Sequence, residues 1–159
     1  MSRVGELSGV ALECRDPAEL AEFYSDLTGW PVVYSDPDWY SVGQSEQASF
    51  HLSFQRSPSH QPPTWPDTAS SMQFHLHVRV DDLDAAERAL LTLGATKVDH
   101  QPAPDRSRVF ADPAGHPFCL VPTGHLPEKL ESRAARLHDP GPRVEPDPVI
   151  ASVHGERLA

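Results

Sequence analysis

His75 and His77 stand two residues apart in the segment FHLHVRV, where Phe74, Leu76, Val78 and Val80 alternate with His75, His77 and Arg79. Period-two alternation puts both imidazoles on the polar face of one strand, ~6.5 Å apart along it, close enough to converge on one cation. Glu13 lies on an earlier strand of similar pattern, where Val10, Leu12 and Cys14 alternate with Gly9, Ala11 and Glu13. Burial would raise its carboxyl toward general-base duty. The competing role is an ion pair with Arg79, 66 residues on in the corresponding strand (79 − 13), and the ion pair is the favoured reading. Cys119 is a nucleophile if a histidine lowers its pKa, and otherwise a small filler, the commoner use of a strand cysteine. His51, Ser53 and Gln55 form the polar face of a third strand opposite Phe50, Leu52 and Phe54.

The elements that must hold these groups repeat. Asp81 or Asp82 caps a helix with apolar stripe Leu83, Ala86, Leu90 and Leu93, stopped by Gly94. Asp16-Pro17 opens an earlier helix with stripe Leu20, Phe23, Tyr24 and Leu27, stopped by Gly29. Short strands follow each helix: 30–34, 39–42 and 49–55 in the first copy, 95–99, 108–111 and 117–121 in the second. This is an internal duplication, with the function expected between the copies. Module one spans 7–56, a proline-rich linker 57–71, and module two 72–122, together one domain over 1–122. A C-terminal extension, 123–159, holds a helix over about 127–138 and then a proline-rich tail, with 149–153 as an optional edge strand. The helix also offers an assembly face at Leu130 and Leu137.

The 159 residues carry a net charge of −10, 38% hydrophobic residues, seventeen prolines and two cysteines. The charge repels phosphate backbones and argues against nucleic acid as partner. No apolar run reaches the ~20 residues of a membrane span. The opening MSRVGELSGV lacks the basic and apolar regions of a signal peptide, so the cytoplasm is the expected location. Strand parity places Cys14 and Cys119 on opposite faces, which argues against a disulfide.

The pieces CRDPAELAEFYSDLTGW, FQRSPSHQPPTWPD, FHLHVRVDDLDAAE, LGAT and ADPAGHPFCLV, in this order, resemble the glyoxalase/bleomycin-resistance/dioxygenase (vicinal oxygen chelate) superfamily, in its glyoxalase-like branch. The resemblance covers roughly Leu7 to Pro122. It implies an α+β fold of tandem βαβββ modules, whose curled mixed sheets enclose a cavity with the helices outside. It implies a small organic ligand in that cavity and a homodimer. Metal-dependent members take four ligands from the first and last strand of each module. Those positions here offer Gly9, either His51 or Ser53, His75, and Cys119 in place of the usual glutamate. The usual quartet is therefore broken, and the first expectation is a metal-free binder of the bleomycin-resistance type, with His51, Gln55, Trp65, His75, His77, Arg79 and Cys119 lining the cavity. Trp39 and Tyr40 add aromatic lining, whereas Trp65 is favoured on the module seam. The alternative is a metal-dependent lyase, isomerase or dioxygenase, with zinc, iron, manganese or nickel on His75, His77 and His51 and with Cys119 as a fourth ligand. His60, His100, His116 and His125 are expected in solvent, and Arg106 and Arg108 as surface arginines.

Overall fold

In the computed structural model, residues 4–67 and 72–124 are described. The expected helix at 127–138, the tail after it, and His125 lie outside those residues.

Module one runs β1 (Gly9–Cys14), α1 (Pro17–Thr28), β2 (Val32–Asp36), β3 (Trp39–Val42) and β4 (His51–Arg56). Module two repeats this as β5 (Leu76–Val80), α2 (Leu83–Thr92), β6 (Thr96–Lys97), β7 (Arg108–Ala111) and β8 (Pro117–Pro122). Each module forms a four-stranded mixed sheet of the same order, β1-β4-β3-β2 and β5-β8-β7-β6. In both, the first strand pairs in parallel with the last. The two sheets and two helices make an α+β fold, with the expected element order.

Local chemistry accounts for the helix ends. The Asp16 carboxylate accepts the backbone N–H groups of Ala18 and Glu19, and Asp82 does the same for Asp84 and Ala85. Gly29 closes α1 in the left-handed region at φ 72°, where a side chain would be strained. Strand parity also holds. Leu52, Phe54, Phe118 and Leu120 are buried, and Cys119, between the last two, is only half-buried.

Several strand boundaries moved, and the strand expected over 95–99 is only Thr96–Lys97. β2 starts two residues late and continues to Asp36, because the Asp36 carboxylate accepts the Asp38 N–H and lets β2 turn directly into β3. β4 starts at His51, and β5 at Leu76 rather than Phe74. Gln73 has φ 56°, a left-handed kink that ends the extended run, so Phe74 stays 52% exposed instead of joining the apolar face.

The modules share one core. Tyr24 of α1 stacks on Phe54 of its own sheet with centroids 5.3 Å apart, while Phe23 meets Phe118 of β8 edge-on at 6.0 Å. Packing of this kind is worth about 1 kcal/mol per aromatic pair beyond the area buried. Arg108, expected on the surface, is half-buried: its guanidinium ties β7 to α2 through Asp84 and Glu87, both at 2.6 Å. The guanidinium fork reaches two acids spaced one helical turn apart.

Candidate functional site

A cavity of about 450 Å³ opens at the seam between the modules. Its walls include Glu13 on β1, His60 and Gln61 of the linker, Phe74 and His75 just before β5, and His116 ahead of β8. A separate groove of about 550 Å³ follows the polar face of the first sheet, past Tyr34, Trp39, Ser41, His51 and Ser53. There Trp39 Nε1 donates to Ser41 Oγ at 3.0 Å, and the Ser41 and Ser53 hydroxyls are 2.8 Å apart. Trp65 lines neither space; it lies against the ring of His100 at 5.0 Å. Glu13 and Arg79 are both exposed and form no ion pair with each other, so the favoured partnership is absent.

Strand pairing resolves which residue of β4 takes the family's ligand position. Cys119 pairs with His77, and Ser53 pairs with Ala11, the residue that corresponds to His77 in the duplicate. Ser53 is thus the counterpart of Cys119, and His51 falls beside Gly9. The first module therefore presents a glycine and a serine hydroxyl. A Cβ at Gly9 would lie 2.6 Å from the His51 carbonyl oxygen, so the tight β1–β4 approach itself demands glycine. The four-ligand site of metal-dependent relatives does not fit these residues.

The second module is better supplied. His75 Nε2 and His77 Nε2 are 2.8 Å apart, and the donor atoms of His75, His77 and Cys119 all lie within 4.8 Å of one another. His51 is not in this group; its Nε2 contacts the Ser45 carbonyl oxygen at 3.2 Å. Desolvation, aided by the neighbouring His77, lowers the pKa of His75. Burial pushes the Cys119 thiol up to about 11, and Cys14, buried and beside Asp112, also to about 11. Both cysteines are free. Alkylation of native protein should label Cys119 alone, because Cys14 has no exposed surface. Since only the thiolate reacts, its rate should climb about tenfold per pH unit up to about pH 11. Thiol mass labelling from pH 7 to 10 checks this, and a plateau near pH 8 would refute the raised thiol.

The residue that the sequence did not single out is Asp112. Its side chain has no exposed surface, yet it is bonded on every side. Oδ1 accepts the N–H groups of Ala114 and His116, both at 2.9 Å; Oδ2 accepts the Tyr24 hydroxyl at 3.0 Å and contacts His116 Nδ1 at 2.9 Å. His116 and His60 are accordingly not solvated histidines. Their rings lie 4.9 Å apart, and His60 Nε2 donates to the Ala114 carbonyl at 3.0 Å. The available signal was Tyr24 itself: a tyrosine in an apolar helix stripe needs a partner for its hydroxyl.

Among the described residues, no helix is long and apolar enough to cross a membrane. Duplicated βαβββ sheets with a seam cavity define a protein of the glyoxalase/bleomycin-resistance/dioxygenase class. Residues 9–121 match the glyoxalase-like domain family, and the chain belongs to it. Its fold is similar to an enzyme of the glyoxalase/bleomycin resistance protein/dioxygenase family from Burkholderia phytofirmans, at 18% identity and TM-score 0.56 over 74% of this chain and 98% of that one. It is also similar to the trypanothione-dependent glyoxalase I of Leishmania major, at 14% identity and TM-score 0.57 over 83% and 96%. A possible glyoxalase from Bacillus cereus shares 14% identity at TM-score 0.55 over 75% and 99%. No curated protein matches the chain.

Proposed function

We propose that this protein binds a small organic molecule in the cavity between its modules, without the four-ligand metal site of its metal-dependent relatives. The supporting observation is Gly9, which offers no donor and has no room for one. The cavity, about 450 Å³, falls in the range of sites for compact organic ligands. Phe74 and Met72 supply apolar wall, and Glu13, His60, His75 and His116 supply polar handles. In this reading the protein works in the cytoplasm as a homodimer.

The test is calorimetry of chelator-treated protein against a panel of aromatic and amphipathic organic molecules. A ligand should bind one per chain and lose about tenfold or more in Phe74→Ala, since truncating an apolar anchor costs about 1.5 kcal/mol or more. Phe74 is exposed, so the variant keeps its fold. Binding that needs added metal, or that responds only to Trp39→Ala in the other groove, would overturn the reading. The alternative, a metal-dependent lyase, isomerase or dioxygenase, draws on the paired imidazoles of His75 and His77.

A further inference from the structure

We infer that His75, His77 and Cys119 form a zinc site built wholly within module two, from β5, the residue just before it, and β8. The site shares His75 with the proposed ligand cavity but rests on its own geometry; it uses the two second-module positions of the family quartet, adds His77, and takes nothing from the first module, where Gly9 stands.

The argument begins with the contact between the histidines. Two imidazole Nε2 atoms 2.8 Å apart can share only one proton, so one ring donates and the other accepts. Both therefore aim an electron pair or its proton at the same point. A cation at that point replaces the shared proton, and the nitrogens need only part to about 3.3 Å, the separation that tetrahedral Zn–N bonds of ~2.0–2.1 Å require. Cys119 supplies the third donor because it pairs with His77 across the parallel strands β5 and β8, which places both side chains on one sheet face. All three donor atoms already lie within 4.8 Å of one another.

The donor set selects the metal. Two imidazoles and a thiol are borderline-to-soft ligands, which favour zinc over magnesium or calcium. Three protein ligands leave a fourth position open, the arrangement of reactive rather than closed zinc sites. Both histidines are exposed and the cysteine is half-buried, so the ion has a path in from solvent. His75 also lines the seam cavity, which brings the open position toward whatever the cavity holds. Binding would release the Cys119 proton.

Cobalt titration of untagged, full-length, chelator-stripped protein tests this. One Co²⁺ per chain should bind with intense tetrahedral visible bands and a near-ultraviolet thiolate-to-cobalt charge-transfer band, and one equivalent of Zn²⁺ should bleach both. Cys119→Ser, a near-isosteric change, should abolish the charge-transfer band; His75→Gln and His77→Gln should each weaken binding about tenfold or more. A separate readout is protection: bound Zn²⁺ should slow alkylation of Cys119 in the wild-type chain. Weak octahedral bands only, a charge-transfer band that survives Cys119→Ser, or unchanged alkylation with saturating zinc would each overturn the site. None of these outcomes bears on ligand binding by chelator-treated protein, so the two proposals fail separately.

Discussion

Asp112→Ala should destabilise the protein by about 3–5 kcal/mol, the usual cost of leaving the partners of a buried carboxylate uncompensated. The carboxylate has no exposed surface and serves four protein donors: the Tyr24 hydroxyl, the His116 ring, and the N–H groups of Ala114 and His116. Its removal strands the Tyr24 hydroxyl inside a core where Tyr24 itself is 1% exposed. It also deprives the turn at 112–116 of the carboxylate that accepts the Ala114 and His116 N–H groups, leaving only its backbone–backbone bonds. Because Tyr24 belongs to α1 and Asp112 to the turn before β8, the bond at 3.0 Å ties one module to the other. Both modules should therefore still unfold together, at lower denaturant. Tyr24→Phe removes one of these bonds and should cost about 1 kcal/mol. The double variant should fall short of the sum, since both changes break the same contact. Urea unfolding followed by fluorescence and circular dichroism measures all three. A change in Asp112→Ala within about 0.5 kcal/mol of wild type, the range of inert surface changes, would show that the carboxylate is not a fastener.

The contrast between Asp112 and the strands marks what the sequence can convey. Alternation along β4 and β8 named the buried faces correctly, since side-chain parity is a local property that neighbours cannot reverse without a register slip. The cap at Asp16 was equally legible, and that of the second helix narrowed to Asp81 or Asp82, of which Asp82 is the cap; both are contacts within three residues. The roles of Asp112, His60 and His116 depend instead on where the other module lies. The turn DPAGH announces itself, but nothing in it says that Tyr24, 88 residues earlier, will need the aspartate. The half-buried place of Arg108 is hidden from the sequence for the same reason, because its two acids sit on α2. Candidate site residues divide along this line too. The proximity of His75 and His77 was written in their spacing. The place of Cys119 beside them, and of His51 away from them, required the pairings Cys119 with His77 and His51 with Gly9.

That second pairing leads to the other large effect. Gly9→His should restore, by residue type, the first-strand ligand that metal-dependent relatives carry, and it should nonetheless fail to create their site. A Cβ at residue 9 meets the His51 carbonyl oxygen at 2.6 Å, well inside van der Waals contact, and the obstacle is backbone rather than a side chain that can swing away. Relief requires β1 and β4 to separate where Gly9 and His51 are paired. Overpacking of this kind costs about 1–3 kcal/mol. Gly9→Ala carries the same Cβ and should show most of that loss, which separates the steric effect from any effect of the imidazole. The fourth position of the quartet would still hold Ser53, a neutral hydroxyl and a poor ligand beside a carboxylate. The expected result is that both variants unfold at lower urea than wild type, and that Gly9→His binds cobalt no more tightly than the wild-type chain. A Gly9→His protein as stable as wild type and gaining affinity for divalent metal would mean that the two strands part easily. The first module would then be a lapsed metal site open to repair by one residue, and the case against the four-ligand site would lose its main support.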